Sequence, residues 1–61
     1  MKISVIDVVR DEGTVIVFYG VDDDGANRTF AADRRMAEDI IHAMGHGYAP
    51  VCEVPDWALL G

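Results

Sequence analysis

This chain of 61 residues has a single cysteine, Cys52, and a single lysine, Lys2. One cysteine cannot close a disulfide within the chain, so the usual staple of a very small domain is excluded. Sparse thiol usage of this kind points to a reducing, intracellular setting. No apolar run approaches the roughly 18 residues of a membrane-spanning helix. The opening Met1-Lys2-Ile3-Ser4 meets Asp7 before any long apolar stretch, unlike a secretory leader. These absences lead to the expectation of a soluble, cytoplasmic protein. A glycine-rich phosphate loop, a nucleophile elbow and an obvious His–carboxylate set are also missing. A domain of this size seldom encloses a pocket that excludes water. The expectation is therefore of a protein that is not an enzyme and carries no cofactor.

What the chain has in excess is negative charge. Eight aspartates and three glutamates face four arginines and Lys2, for a net charge of -6. Two ordinary causes produce an acidic, lysine-poor composition: a GC-rich genome and a saline cytoplasm. Either way such a surface repels phosphate backbones, which argues against a direct nucleic-acid partner. Arg28, Arg34 and Arg35 are too diluted by Asp33, Glu38 and Asp39 to make a basic patch. At 51% hydrophobic residues the chain has too much to bury to be disordered. Residues 1–61 read as a single domain, and one this small buries only about 60% of its unfolded surface. It gains stability from a partner more readily than from a large core.

Along the chain, Lys2 to Arg10 is rich in Ile and Val without helical spacing and reads as a strand. Asp11-Glu12-Gly13 supplies a turn. Thr14 to Val21, nearly all β-branched or aromatic, is the clearest strand. Asp22 to Asn27 is a polar loop with an Asp-Gly turn signal, and Arg28 to Ala32 is a short third strand. Asp33 has the chemistry of a helix N-cap. After it Met36, Ile40 and Met44 recur at i, i+4 and i+8, with Ala37 and Ile41 beside them, so this helix is amphipathic. Arg34–Glu38 and Arg35–Asp39 are opposite charges at i, i+4, in the weaker orientation. Gly45 or Gly47 ends the helix. Tyr48 to Val54 is a fourth strand with Pro50 near its start or on a sheet edge, and Asp56 to Gly61 is an apolar tail. The expected fold is α+β: a small antiparallel sheet in β-β-β-α-β order, with the one helix packed on one face.

A sheet with one wet face alternates apolar and polar residues, and these strands do not. Val15, Val17, Tyr19 and Val21 oppose Ile16 and Phe18, while Ile3 and Val5 oppose Ile6 and Val8. One helix covers one face, and a six-residue tail is too small to cover the other. An association surface is expected there.

Smaller constellations each have a plain alternative. His42 and His46 stand four apart with Cys52 and Glu53 soon after, which has the logic of a metal site. The glycines around His46 and the spacing to Cys52 fit no finger or ribbon, and a solvated His42, a capping His46 and a buried Cys52 explain the same residues. No metal ligand is assigned. Asp22, Asp23, Asp24 and Asn27 are oxygen-rich but contiguous and lack the closing glutamate of a calcium loop. Trp57 reads either as an anchor that pins the tail to the core or as a hot spot offered to a partner.

The functional expectation is a non-enzymatic protein-interaction module, of the kind a phage or mobile element encodes as a small regulator or inhibitor. Its acidic tips, Asp11, Glu12, Asp22, Asp23 and Asp24, together with Phe18 and Trp57, are the candidate partner-binding residues. A different class of reading is a structural subunit that acts as a homodimer, or within a larger assembly, through the apolar sheet face around Phe18 and Val17. A third is a small metal-binding domain built on His42, His46 and Cys52.

Overall fold

The structure, a computed structural model, describes residues 1–60. Its elements are β1 (Lys2–Asp11), β2 (Val15–Asp22), β3 (Asn27–Asp33), α1 (Arg34–Gly45), β4 (Val51–Glu53), a 3-10 turn (Asp56–Ala58) and β5 (Leu59–Leu60). The strands form one antiparallel sheet in the order β4-β1-β2-β3-β5. The fold is α+β, with β1–β3 as a meander at its centre and α1 across β2 and β3. No helix is long and apolar enough to cross a membrane.

Local chemistry accounts for the boundaries. Asp33 has extended backbone, and its carboxylate accepts from the Met36 N–H at 2.8 Å, satisfying one of the free donors of the first turn. At the other end the Tyr48 N–H bonds the Ala43 carbonyl and the Gly47 N–H bonds that of Met44. This double closure needs a left-handed residue, supplied by Gly47 at φ +84°. Tyr48 is thereby spent on the helix cap and Pro50 has no N–H, so β4 is shorter than the sequence suggests and starts at Val51. The Pro50 carbonyl still accepts from the Val5 N–H at 2.9 Å. Arg34 does not pair with Glu38. It reaches the hairpin between β1 and β2, donating to Asp11 at 3.1 Å and to the Gly13 carbonyl at 2.8 Å, two acceptors against one poorly oriented carboxylate.

The core lies between sheet and helix. Ile3, Val5, Ile16, Phe18, Phe30 and Ala32 face Ala37 and Ile40 of α1, and Cys52, Val54 and Ala58 close it below. Phe18 and Phe30 are cross-strand partners whose rings stack with centroids 5.6 Å apart. Ile41, which the periodicity places beside the apolar stripe, is exposed.

The second face differs from the sequence expectation. Register shifts between Val5 and Asp7, and between Val8 and Arg10, insert extra residues into β1. Each such bulge resets the alternation of side chains. Val8 is therefore opposite Phe18 on the helix side, and Asp7 and Arg10 stand opposite Tyr19 and Val17 on the open side. On β3 the open-face partners are Asn27, Thr29, Ala31 and Asp33. The open face thus carries one apolar stripe, Val15, Val17, Tyr19 and Val21 of β2, with largely polar flanks. Val17 at its middle is only 2% exposed.

Candidate functional site

The tail does not cover a face; it closes an edge. Leu59 and Leu60 pair with Phe30 and Thr29, and Ala58 enters the core. In the 3-10 turn between the buried Val54 and Ala58 the small residue takes the inward position, and Trp57 is left pointing out. Trp57 is 86% exposed, the most exposed of the large apolar side chains. The reading of Trp57 as a core anchor is overturned by this position, because Val54 and Ala58 are the residues that hold the tail.

Trp57 stands on one wall of an apolar groove of about 350 Å³. Phe30, Ala32, Val54, Met36 of α1, Asp33 and Pro55 line it with Trp57. Because β5 pairs only with Thr29 and Phe30, Ala31–Asp33 has a strand partner on the β2 side alone. The groove therefore runs beside a short length of β3 edge that no strand pairs with and that the Asp56–Ala58 turn flanks. Free N–H and C=O groups of such an edge can accept another strand. The outer part of β1 is also unpaired beyond β4 and carries exposed Ile6, Val8 and Val9. There, however, two bulges distort the backbone and the Asp7 carboxylate takes the Val8 N–H at 2.8 Å. These are devices that discourage strand addition, and the β3 edge has neither.

The other expected site residues fall into three groups. Phe18 is fully buried, at the centre of the core on the most enclosed strand, and no partner can touch it in the folded chain. Asp22 is 7% exposed and is occupied by its own loop. One carboxylate oxygen accepts from the Asp24 and Ala26 N–H groups at 2.9 Å, and the other from Arg28 at 2.8 Å. Asp11 and Glu12 are exposed but paired, with Arg34 and Arg10 respectively. Only Asp23 and Asp24 present unpaired carboxylates at a loop tip.

Asp22 has a measurable consequence. The Arg28 hydrogen bond, followed by the Ala26 and Asp24 N–H groups, holds its carboxyl below the ordinary 3.8, against a smaller opposing effect of burial. A carboxyl lowered in the folded state adds stability above its unfolded pKa and loses it as pH falls through the folded value. The stability difference between the wild type and Asp22→Asn is expected to be full at neutral pH and to shrink as pH falls below about 4. Urea denaturation at a series of pH values checks this. A difference that stays constant down to pH 2 would contradict the pairing.

His42 and His46 are brought together at the end of α1 with ring centroids 4.6 Å apart. Cys52 is buried opposite Ile3, and burial pushes its thiol pKa up, the opposite of what an activated thiolate needs. Among the described residues no three His, Cys, Asp or Glu side chains gather as a metal cage. No family model matches the chain, and no curated protein or solved structure is similar to it.

Proposed function

We propose that this chain is a non-enzymatic protein-interaction module whose Trp57 groove takes an extended apolar segment of a partner protein, flanked by a basic residue. The observation that carries the proposal is the 86% exposure of the only tryptophan. Tryptophan is enriched at the energetic centres of interfaces, where it fills or borders a desolvated pocket. The Phe30–Met36 groove beside it offers apolar surface, and the open edge at Ala31–Asp33 offers backbone hydrogen bonds for an added strand. Asp33 at the groove and Asp56 next to Trp57, on a chain of net charge -6, favour a cationic flank and speed its approach. The same acidic surface, with Asp23 and Asp24 at the far tip, suits a regulator or inhibitor that settles on a basic surface of its target.

Trp57 is also the reporter. Its emission in the folded chain is expected to be solvent-like and fully open to a soluble quencher, and to shift to the blue when a ligand fills the groove. Selection of randomised displayed peptides against the wild type is expected to enrich apolar segments with a neighbouring Lys or Arg. Trp57→Ala removes that binding and leaves stability within about 0.5 kcal/mol, as at other exposed positions. Recovery of the same peptides by both proteins, or a native emission already shifted to the blue, would sink the proposal.

A further inference from the structure

The interaction reading leaves the pair of histidines at the end of α1 unused. His42 lies in the last turn and His46 is the C-cap. The His46 N–H still bonds the Ala43 carbonyl at 3.1 Å, and Gly47 and Tyr48 close the turn behind it. His46 itself departs from helical dihedrals at φ -95°, ψ 9°, but these bonds and the i, i+4 spacing still bring the two side chains together. Both are exposed. Their ring centroids are 4.6 Å apart with the planes at 62°.

We propose that His42 and His46 form a two-nitrogen site for a divalent transition-metal ion, with water in the remaining positions. Two imidazole nitrogens each about 2.0–2.1 Å from one tetrahedral zinc place their ring centroids roughly 5–5.5 Å apart. The observed 4.6 Å lies about half an ångström short of that range, a difference that rotation of two exposed side chains closes without movement of the helix. Charge agrees with geometry. The last turn ends in the partial negative charge of the helix, it contains no Lys or Arg, and Glu38 and Asp39 stand on the turn before it. The donor set fixes the class of ion: neutral imidazoles suit zinc, nickel and copper, whereas magnesium and calcium need oxygen. Because no third side chain among the described residues completes a cage, the ion keeps open positions and exchanges readily. Cys52, buried on β4, takes no part. This site is independent of the Trp57 groove.

The test is titration of the full-length, untagged chain with zinc, with magnesium as comparison. It is followed by the imidazole C–H resonances and by the melting temperature. The expected result is that both histidines shift together, saturate at one zinc per chain and raise the melting temperature, while magnesium does neither. His42→Ala and His46→Ala each weaken zinc binding on the order of tenfold or more, because the second ligand acts intramolecularly once the first is bound. Both positions are exposed, and an unchanged far-UV spectrum verifies that the variants fold. The double variant Asp23→Asn, Asp24→Asn is expected to bind zinc as the wild type does. Zinc affinity that survives His42→Ala, or imidazole resonances that do not move in millimolar zinc, would overturn the site.

Discussion

Phe18→Ala is expected to abolish cooperative folding, and with it every other property of the chain. Phe18 is fully buried on the central strand and stacks on Phe30. Truncating a phenylalanine in a packed core costs about 3–5 kcal/mol through lost transfer energy and the cavity left behind. At about 0.05–0.15 kcal/mol per residue, a chain of 61 residues has a total stability of roughly 3–9 kcal/mol. The loss is thus comparable to the whole. In thermal denaturation followed by circular dichroism the variant should show no transition, or one lowered by tens of degrees, given about 4–8 °C per kcal/mol for domains of this size. A melt within about 10 °C of wild type would show that the site collapses around the missing ring at little cost. The result also bears on function. Loss of assembly in a Phe18 variant reports unfolding, so it is no evidence for an association face at that residue.

Element order was legible because each boundary has a local cause. Asp33 at the N-cap, Gly47 behind the helix, and Gly13 and Gly25 in the two hairpins at φ +88° and +80° are signals that act within a few residues. The phase of β1 was not legible. A run of Ile and Val with one Asp inside reads as continuous alternation. Only the pairing with β2 reveals that Ile6 and Val9 are extra residues. The insertion at Ile6 moved Val8 to the helix side and Asp7 to the open side, the insertion at Val9 restored the original phase at Arg10, and the reading of β1 as apolar on its second face followed from missing them. Strand order has the same non-local character, since β4 and β5 add to opposite edges through pairs dozens of residues apart.

The candidate site divides along the same line. That Trp57 was either core or interface could be stated from its type. That it is not core depended on Ala58 taking the inward position in a turn of three residues. Met36 and Pro55, which help shape the groove, carried no signal of their own: Met36 belongs to the apolar stripe of α1, and Pro55 marks the end of a strand. Glu12, Asp23 and Asp24 lie in the hairpin loops, whereas Asp11 and Asp22 end β1 and β2, and whether a carboxylate is free depends on which arginine reaches it. Arg28 closes on Asp22 across its own hairpin, and Arg34 crosses from the helix to Asp11. Only Asp23 and Asp24 are left as the free pair.

Gly20→Ala is expected to match Phe18→Ala in severity for the opposite reason, excess volume. Gly20 lies in β2 opposite Val5 of β1 and Arg28 of β3, with no positive φ that would demand glycine. The demand is for space. A Cβ built there lies 2.3 Å from the Ser4 carbonyl oxygen and 2.6 Å from Ile3 Cγ2. The Ile3 methyl could rotate away, but the carbonyl belongs to the backbone of the neighbouring strand. Relief requires β1 and β2 to part at the end where β4 also hangs from β1. Overpacking of this kind costs about 1–3 kcal/mol where side chains can adjust, and more where they cannot. The expected effect therefore lies at or above 3 kcal/mol. Gly45→Ala is the matched control: it adds the same methyl group at the last helical residue, where nothing lies within 4 Å. Alanine's higher helix propensity and the narrower unfolded ensemble are expected to stabilise that variant by up to about 1 kcal/mol. Urea midpoints of the two variants beside wild type separate the cases, one falling steeply and the other holding or rising. A Gly20→Ala midpoint near that of wild type would mean that β1 and β2 sit farther apart at Ser4 than the close approach described here.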